Sequence, residues 1–183
     1  MFKALPVAFA VLLLSTALQA QGGGNIYFGY SYGRADAGIG NTGNLNGWHG
    51  SLEGKVLPWV GIVADLSGQY GSQGVPIACP AAPCPQLHAS TSVHSFLFGP
   101  RASVSVGKFR PFAHVLIGAA RSKITVTGNE STDTSFATAI GGGLDYEFLP
   151  VFGWRVQADD LRTSFFHDDQ SDFRLSTGIV LRF

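Results

Sequence analysis

Charge is what this sequence has least of. Asp, Glu, Lys and Arg make up 13% of its 183 residues, half the ~25% share of an ordinary soluble domain, so few charged side chains are on hand to wet a surface. Acidic and basic residues are equal in number, 12 each, and a chain without a basic field exerts no long-range pull on nucleic acid. Nucleic acid is therefore excluded as a partner. Cysteine is almost absent. The two present, Cys79 and Cys84 in "ACPAAPCP", sit in a Pro-rich stretch whose nearest histidine is His88. That is too thin a ligand set for zinc, and in an oxidising compartment a close pair reads as a disulfide that stiffens a loop. No catalytic, cofactor or metal site is expected.

Long apolar runs are missing as well. The one candidate, 4–14, is close to half of the ~20 residues a membrane-spanning helix needs. Preceded by Lys3 and followed by small and polar residues up to Ala20, it has the form of a secretory signal peptide. The expected organisation is a cleaved signal over 1–20 and one domain over 21–183. Gln21, not Cys, follows the expected cleavage point, so nothing suggests a lipid-modified terminus.

Past that point helical periodicity is absent and the recurring period is two, which means strands. Eight runs qualify: 25–36, 45–56, 59–70, 92–104, 109–122, 135–148, 153–164 and 171–183. Their connections alternate in length. "LP", "SVGK" and "LPVF" are tight turns, whereas "AGIGNTGN", 71–91, "KITVTGNESTDT" and "FFHDDQ" are long. In an up-and-down antiparallel arrangement all short turns fall at one end and all long loops at the other, the asymmetry of an outer-membrane barrel. The even strand count brings both termini to the short-turn rim.

Each run has an apolar face and a polar one. In "FRLSTGIVLRF" the residues Phe173, Leu175, Ile179, Leu181 and Phe183 oppose Asp172, Arg174, Ser176 and Arg182. A soluble barrel would turn the apolar face inward. With so little charge to cover an outer wall, the apolar faces here are expected to meet lipid, and closure is then obligatory because an open edge in hydrocarbon strands its peptide groups. The fold expected is all-β, an eight-stranded antiparallel up-and-down transmembrane barrel. Aromatic residues cluster where the lipid band should end: Trp59, Phe109, Phe148, Phe152, Trp154 and Phe183 near the short turns, Tyr30, Tyr32, Tyr70 and Phe165 toward the long loops. A β-sandwich with core aromatics is the alternative, and it accounts less well for the loop asymmetry.

The second faces then line a lumen wide enough only for side chains. They place Glu53, Asp65, Asp145 and Asp159 inside with Lys55, Arg101, Arg155 and Arg174, alongside His49, His114 and Gln157. Acid and base balance, so an ion-pair network plugging the barrel is the expected arrangement; a gated pore for ions or small solutes, in which those pairs exchange partners, is the alternative. For an enzyme, "HASTSVHS" offers His88, His94 and Ser95, and "FFHDDQSD" offers His167, Asp168, Asp169 and Ser171, but neither has a catalytic spacing. Gly141 to Gly143 lack the Lys and Ser/Thr of a phosphate loop and read as room for a bulky lumen neighbour. Pro100 and Pro111 each remove a ladder donor, so a bulge or weakened pairing is expected there.

The segments "FGYSYGR", "NLNGW", "FLFGPRAS", "PFAHVLIG", "AIGGGLDY", "RVQADDLRT" and "FRLSTGIVLRF" together resemble the outer-membrane β-barrel domain proteins of the OmpA/OmpX type, over essentially all of 21–183. The group it resembles most usually has Tyr where this chain has Asp160, a charge on an outward position that is tolerable near the interface. The terminal Phe183, with apolar residues at every second position before it, resembles the signal read by the barrel-assembly machinery. The resemblance implies a monomer in the outer membrane of a Gram-negative-type envelope. Its partners would be outer-membrane lipid, the assembly machinery, and an unidentified extracellular partner met through the loops; its role would be structural or surface-interactive.

Overall fold

The computed structural model describes residues 23–36, 42–76, 86–126, 129–165 and 168–183. The expected signal segment, the pair Cys79 and Cys84, and His167 lie outside the described residues. Eight strands follow one another: β1 (Gly24–Asp36), β2 (Thr42–Leu57), β3 (Val60–Pro76), β4 (Gln86–Ser103), β5 (Phe109–Val126), β6 (Asn129–Glu147), β7 (Phe152–Phe165) and β8 (Asp168–Arg182). Each pairs antiparallel with its sequence neighbour, and β8 returns to β1 to close an all-β barrel.

Closure runs from Asn25↔Arg182 to Arg34↔Phe173, with Phe183 adding its backbone to Gly24 at 2.8 and 3.1 Å. At the middle of this seam Gly29 faces Gly178. A Cβ on Gly29 would lie 2.2 Å from the Thr177 carbonyl and 2.6 Å from the Tyr27 hydroxyl, so the two strands approach closely because neither carries a side chain there. The tight connections are as short as the sequence suggests. Val106 and Phe109 exchange both backbone hydrogen bonds around Gly107–Lys108, with Gly107 at φ 61°, a conformation that glycine adopts without a steric cost.

At the other end the strands run further than the alternation indicates. β3 and β4 stay paired out to Pro76↔Gln86, and β5 and β6 out to Val126↔Asn129. The β2–β3 pairing, by contrast, ends at Asn46↔Tyr70 and the β6–β7 pairing at Ala137↔Thr163. A four-stranded ribbon of β3 to β6 therefore stands beyond the closed wall, over stretches the sequence suggested were loops. Apolar alternation marks a strand only where one face is buried or meets lipid. A polar arm in water needs no such face, since its neighbours satisfy the backbone.

Proline acts at one of its two positions. Pairing between β4 and β5 is interrupted at Gly99 and Pro100, opposite Val115 and Leu116, and resumes in the same register at Arg101↔His114. Pro111 pairs with Leu144 in an unbroken ladder. The one register shift among the described pairs lies between Lys55 and Leu57, beside the β2–β3 turn.

The outer wall is apolar: Ile62, Phe96, Phe98, Val115, Ile117, Ile140 and Val156 are all exposed, and Phe28 and Phe136 are 65% exposed. Exposure of this order on so many large side chains is unaccounted for in water and fits a lipid-facing band. Trp59, Phe109, Phe152, Trp154 and Phe183 are exposed at the turn end, and Tyr30 and Tyr70 toward the other.

Phe98, flanked by Ala64 and Ile117 on neighbouring strands, lies well inside that band. Phe98→Arg is expected to lower unfolding free energy in lipid vesicles by ~2–4 kcal/mol, whereas Ser92→Arg, beyond the band, costs at most ~1 kcal/mol. Urea titrations of both variants check the contrast; equal losses would contradict the placement of lipid.

Candidate functional site

Side chains alternate strictly across a closed sheet, so one register decides the whole interior. Arg101, Arg155 and Arg174 are among the largest fully buried side chains of the protein, and Glu53, Asp65, Asp145 and Asp159 are buried with them. Charges persist at such burial only when paired and hydrogen-bonded.

The pairs form three groups. Near the turn end, Glu53 Oε1 meets Lys55 Nζ at 2.8 Å while its Oε2 meets Arg101 at 3.2 Å, and Lys55 donates to Ser103 Oγ at 2.6 Å. Arg155 grips Asp145 through two parallel bonds, Nε to Oδ1 at 2.6 Å and a terminal nitrogen to Oδ2 at 2.9 Å, the fork geometry that makes such pairs strong. Arg174 spans two carboxylates, 2.8 Å from Asp159 and 3.2 Å from Asp65, and a histidine stands on the far side of each: His49 Nε2 is 2.5 Å from Asp65, His114 Nε2 2.9 Å from Asp159.

These groups are joined. Asn25 donates to Glu53 at 2.8 Å and accepts from Arg155 at 3.2 Å. Arg101 lies 3.4 Å from His114 Nδ1, which links the Glu53 group to His114 and Asp159. Every lumen ion-pair residue singled out from the sequence, from Glu53 to Arg174, thus has an opposite charge within reach. Arg182 adds itself at the rim, 3.5 Å from Asp145 and bonded to Glu147.

Three participants went unread in the sequence. Phe112 points inward with two guanidinium groups over its ring, 4.4 Å from Arg101 and 4.6 Å from Arg155, an arrangement that favours cations over an aromatic face. Tyr27 lies 5.1 Å from Arg155 in the same way, and Asn25 is the amide bridge already described. The "GGG" run accommodates this packing. A Cβ on Gly143 would come within 2.7 Å of the Phe112 ring, and one on Gly141 within 2.1 Å of Asp159 Oδ1. The lumen is also partly apolar: Val63, Leu97, Leu116, Ala120, Ala137, Ala139 and Leu161 form a buried cluster contributed by β3 to β7.

Among the described residues, the catalytic candidates His94 and Ser95 are not assembled. His94 is exposed on the outer wall and hydrogen-bonded to the Tyr70 hydroxyl at 3.1 Å, whereas Ser95 is buried on the inner face against Ser67 at 2.7 Å. Neighbours in a strand point oppositely, so this pair cannot act together. Ser171 donates to Asp160 at 2.5 Å and Arg162 lies 3.1 Å from the same carboxylate, so the outward charge of Asp160 is partnered at the wall. The side chains of His88, Asp168 and Asp169 lie outside the described residues.

With this geometry established, three comparisons bear on the chain. The family model "Outer membrane protein beta-barrel domain" matches residues 7–183. A comparison with curated proteins found no match. Among solved structures, Ail, the attachment invasion locus protein of Yersinia pestis, is 16% identical with a TM-score of 0.61, covering 88% of this chain and 99% of that one. Neisserial surface protein A is 11% identical with a TM-score of 0.64, covering 87% and 97%. At such identity the likeness is one of fold.

Replacing Arg174 strands two buried carboxylates. Arg174→Met is expected to cost ~3–5 kcal/mol in urea unfolding, and adding Asp65→Asn with Asp159→Asn should recover most of it, because the penalty lies in the unpaired charge. A loss that persists in the triple variant would point to shape instead of charge.

Proposed function

The chain belongs to the outer membrane protein beta-barrel domain family, and from that premise we propose a closed, monomeric barrel whose work is structural and directed at the cell surface. In this reading the ion-pair network plugs the lumen and the barrel is a rigid post. Its β3–β6 ribbon and the connections beyond it meet an extracellular partner.

The supporting observation is the occupation of the lumen. Arg101 and Arg155 both lie over the Phe112 ring, and Arg174 is clamped between Asp65 and Asp159. For a hydrated ion to pass, several buried pairs would have to open at once, each at a cost of a few kcal/mol. A pore reading requires those pairs to exchange partners readily. An enzyme reading requires a nucleophile beside its base, and His94 and Ser95 face opposite ways.

Export through the segment 1–20 and insertion guided by the terminal strand belong to the same proposal. Phe183 is exposed at the turn end with its backbone tied to Gly24, a position open to an assembly factor.

Purified barrel in planar bilayers is expected to give no steady conductance, and Phe112→Ala combined with Arg155→Ala is expected to introduce one by emptying a lumen level. Steady wild-type current that changes when Glu53 or Arg101 is neutralised would overturn the plug and favour the pore.

A further inference from the structure

At the short-turn mouth of the barrel, inward positions on β2, β4 and β5 bring Lys55, Ser103 and Arg110 together. Lys55 Nζ donates to Ser103 Oγ at 2.6 Å, and Arg110 Nε donates to the same oxygen at 3.2 Å. Two cationic side chains thus share one neutral acceptor. A hydroxyl has two lone pairs; both are taken here, and its own proton goes to no acceptor among the described residues.

The carboxylates nearby are already engaged. Glu53 divides its two oxygens between Lys55 and Arg101. Asp145, the cross-strand partner of Arg110, gives both of its oxygens to Arg155, and Glu147 is bonded to Arg182. Arg110, half-buried, therefore has no ion pair among the described residues, and its side chain bonds through Nε alone, which leaves both terminal nitrogens unpartnered. Lys55, Arg101 and Arg110 stand as three cations against the single carboxylate of Glu53, a surplus of two. Lys108, exposed on the adjoining β4–β5 turn and also without an ion pair among the described residues, adds charge at the same end. A one-signed surplus framed by a low-dielectric wall concentrates counter-ions.

We propose that this mouth binds a phosphate dianion, either inorganic phosphate or the terminal group of a phosphate monoester. Such a group carries about −2 charge at pH 7 with three strong acceptor oxygens. Its charge equals the surplus, and its oxygens suit the Arg110 fork, the Lys55 ammonium and the Ser103 hydroxyl. A planar carboxylate brings half that charge and one oxygen fewer. The ligand arrives from the short-turn end, the periplasmic side of outer-membrane barrels, so the site stands whether or not the lumen conducts.

The test uses the whole barrel in nonionic maltoside micelles, titrated at constant ionic strength with inorganic phosphate, glycerol phosphate or acetate and followed by NMR of the backbone amides. Saturating shifts at Lys55, Ser103 and Arg110 are expected with either phosphate, and the tighter of the two identifies the source. Arg110→Gln, which strands no carboxylate, is expected to weaken binding about tenfold. Lys123→Gln, at the far end of β5 beside Glu130, should bind as the wild type does. Shifts that fail to saturate, or equal affinity of wild type and Arg110→Gln, would overturn the site. Acetate bound as tightly as phosphate would overturn the assignment to a dianion, a comparison that requires no variant to fold.

Discussion

A peptide group in hydrocarbon has no water to turn to, and each one left unpaired costs several kcal/mol. The β1–β8 seam is therefore the constraint on which the rest of this structure depends. It is made by ten cross-strand partners from Asn25 to Arg34, extended at the rim by Phe183 against Gly24. Gly29 and Gly178 let the backbones approach at its middle. Once that seam is closed every strand has two neighbours, every side chain is committed to one of two faces, and the apolar set is committed to lipid.

The inverted arrangement that results has a consequence for the interior. A water-soluble domain gathers its apolar side chains inside; here the outer wall takes most of them and the lumen must be filled with what remains. Eight strands leave a bore of about side-chain width, and the charged side chains lining it are paired with one another. The Asp65–Arg174–Asp159 clamp with its two flanking histidines, and the Arg101–Phe112–Arg155 stack, are two solutions to that requirement. They also tie strands distant in sequence, such as β3 to β8, into one unit.

Outside, the same wall changes character with height. Through the band it is apolar. At its outer edge it is not uniform: Asp160 on β7 is matched by Arg162 and Ser171, while Arg121 on β5, cross-strand from His94, has no ion pair among the described residues.

Alternation along the chain was enough to determine the number of strands, their direction, the end at which the short turns lie, and the face on which Glu53, Arg101 or Arg174 falls, because a two-residue period is a local property of an extended backbone. It could not disclose Phe112, Leu97 or Leu116, inward residues set in continuous apolar runs such as "SFLF" and "VLI" where the period has no contrast. Nor could it find the polar ribbon, whose strands are held by partners and not by a buried face. Which acid meets which base, and which guanidinium meets none, was decided by tertiary structure alone: those distances depend on curvature and register summed around a closed ring, and no single strand contains them.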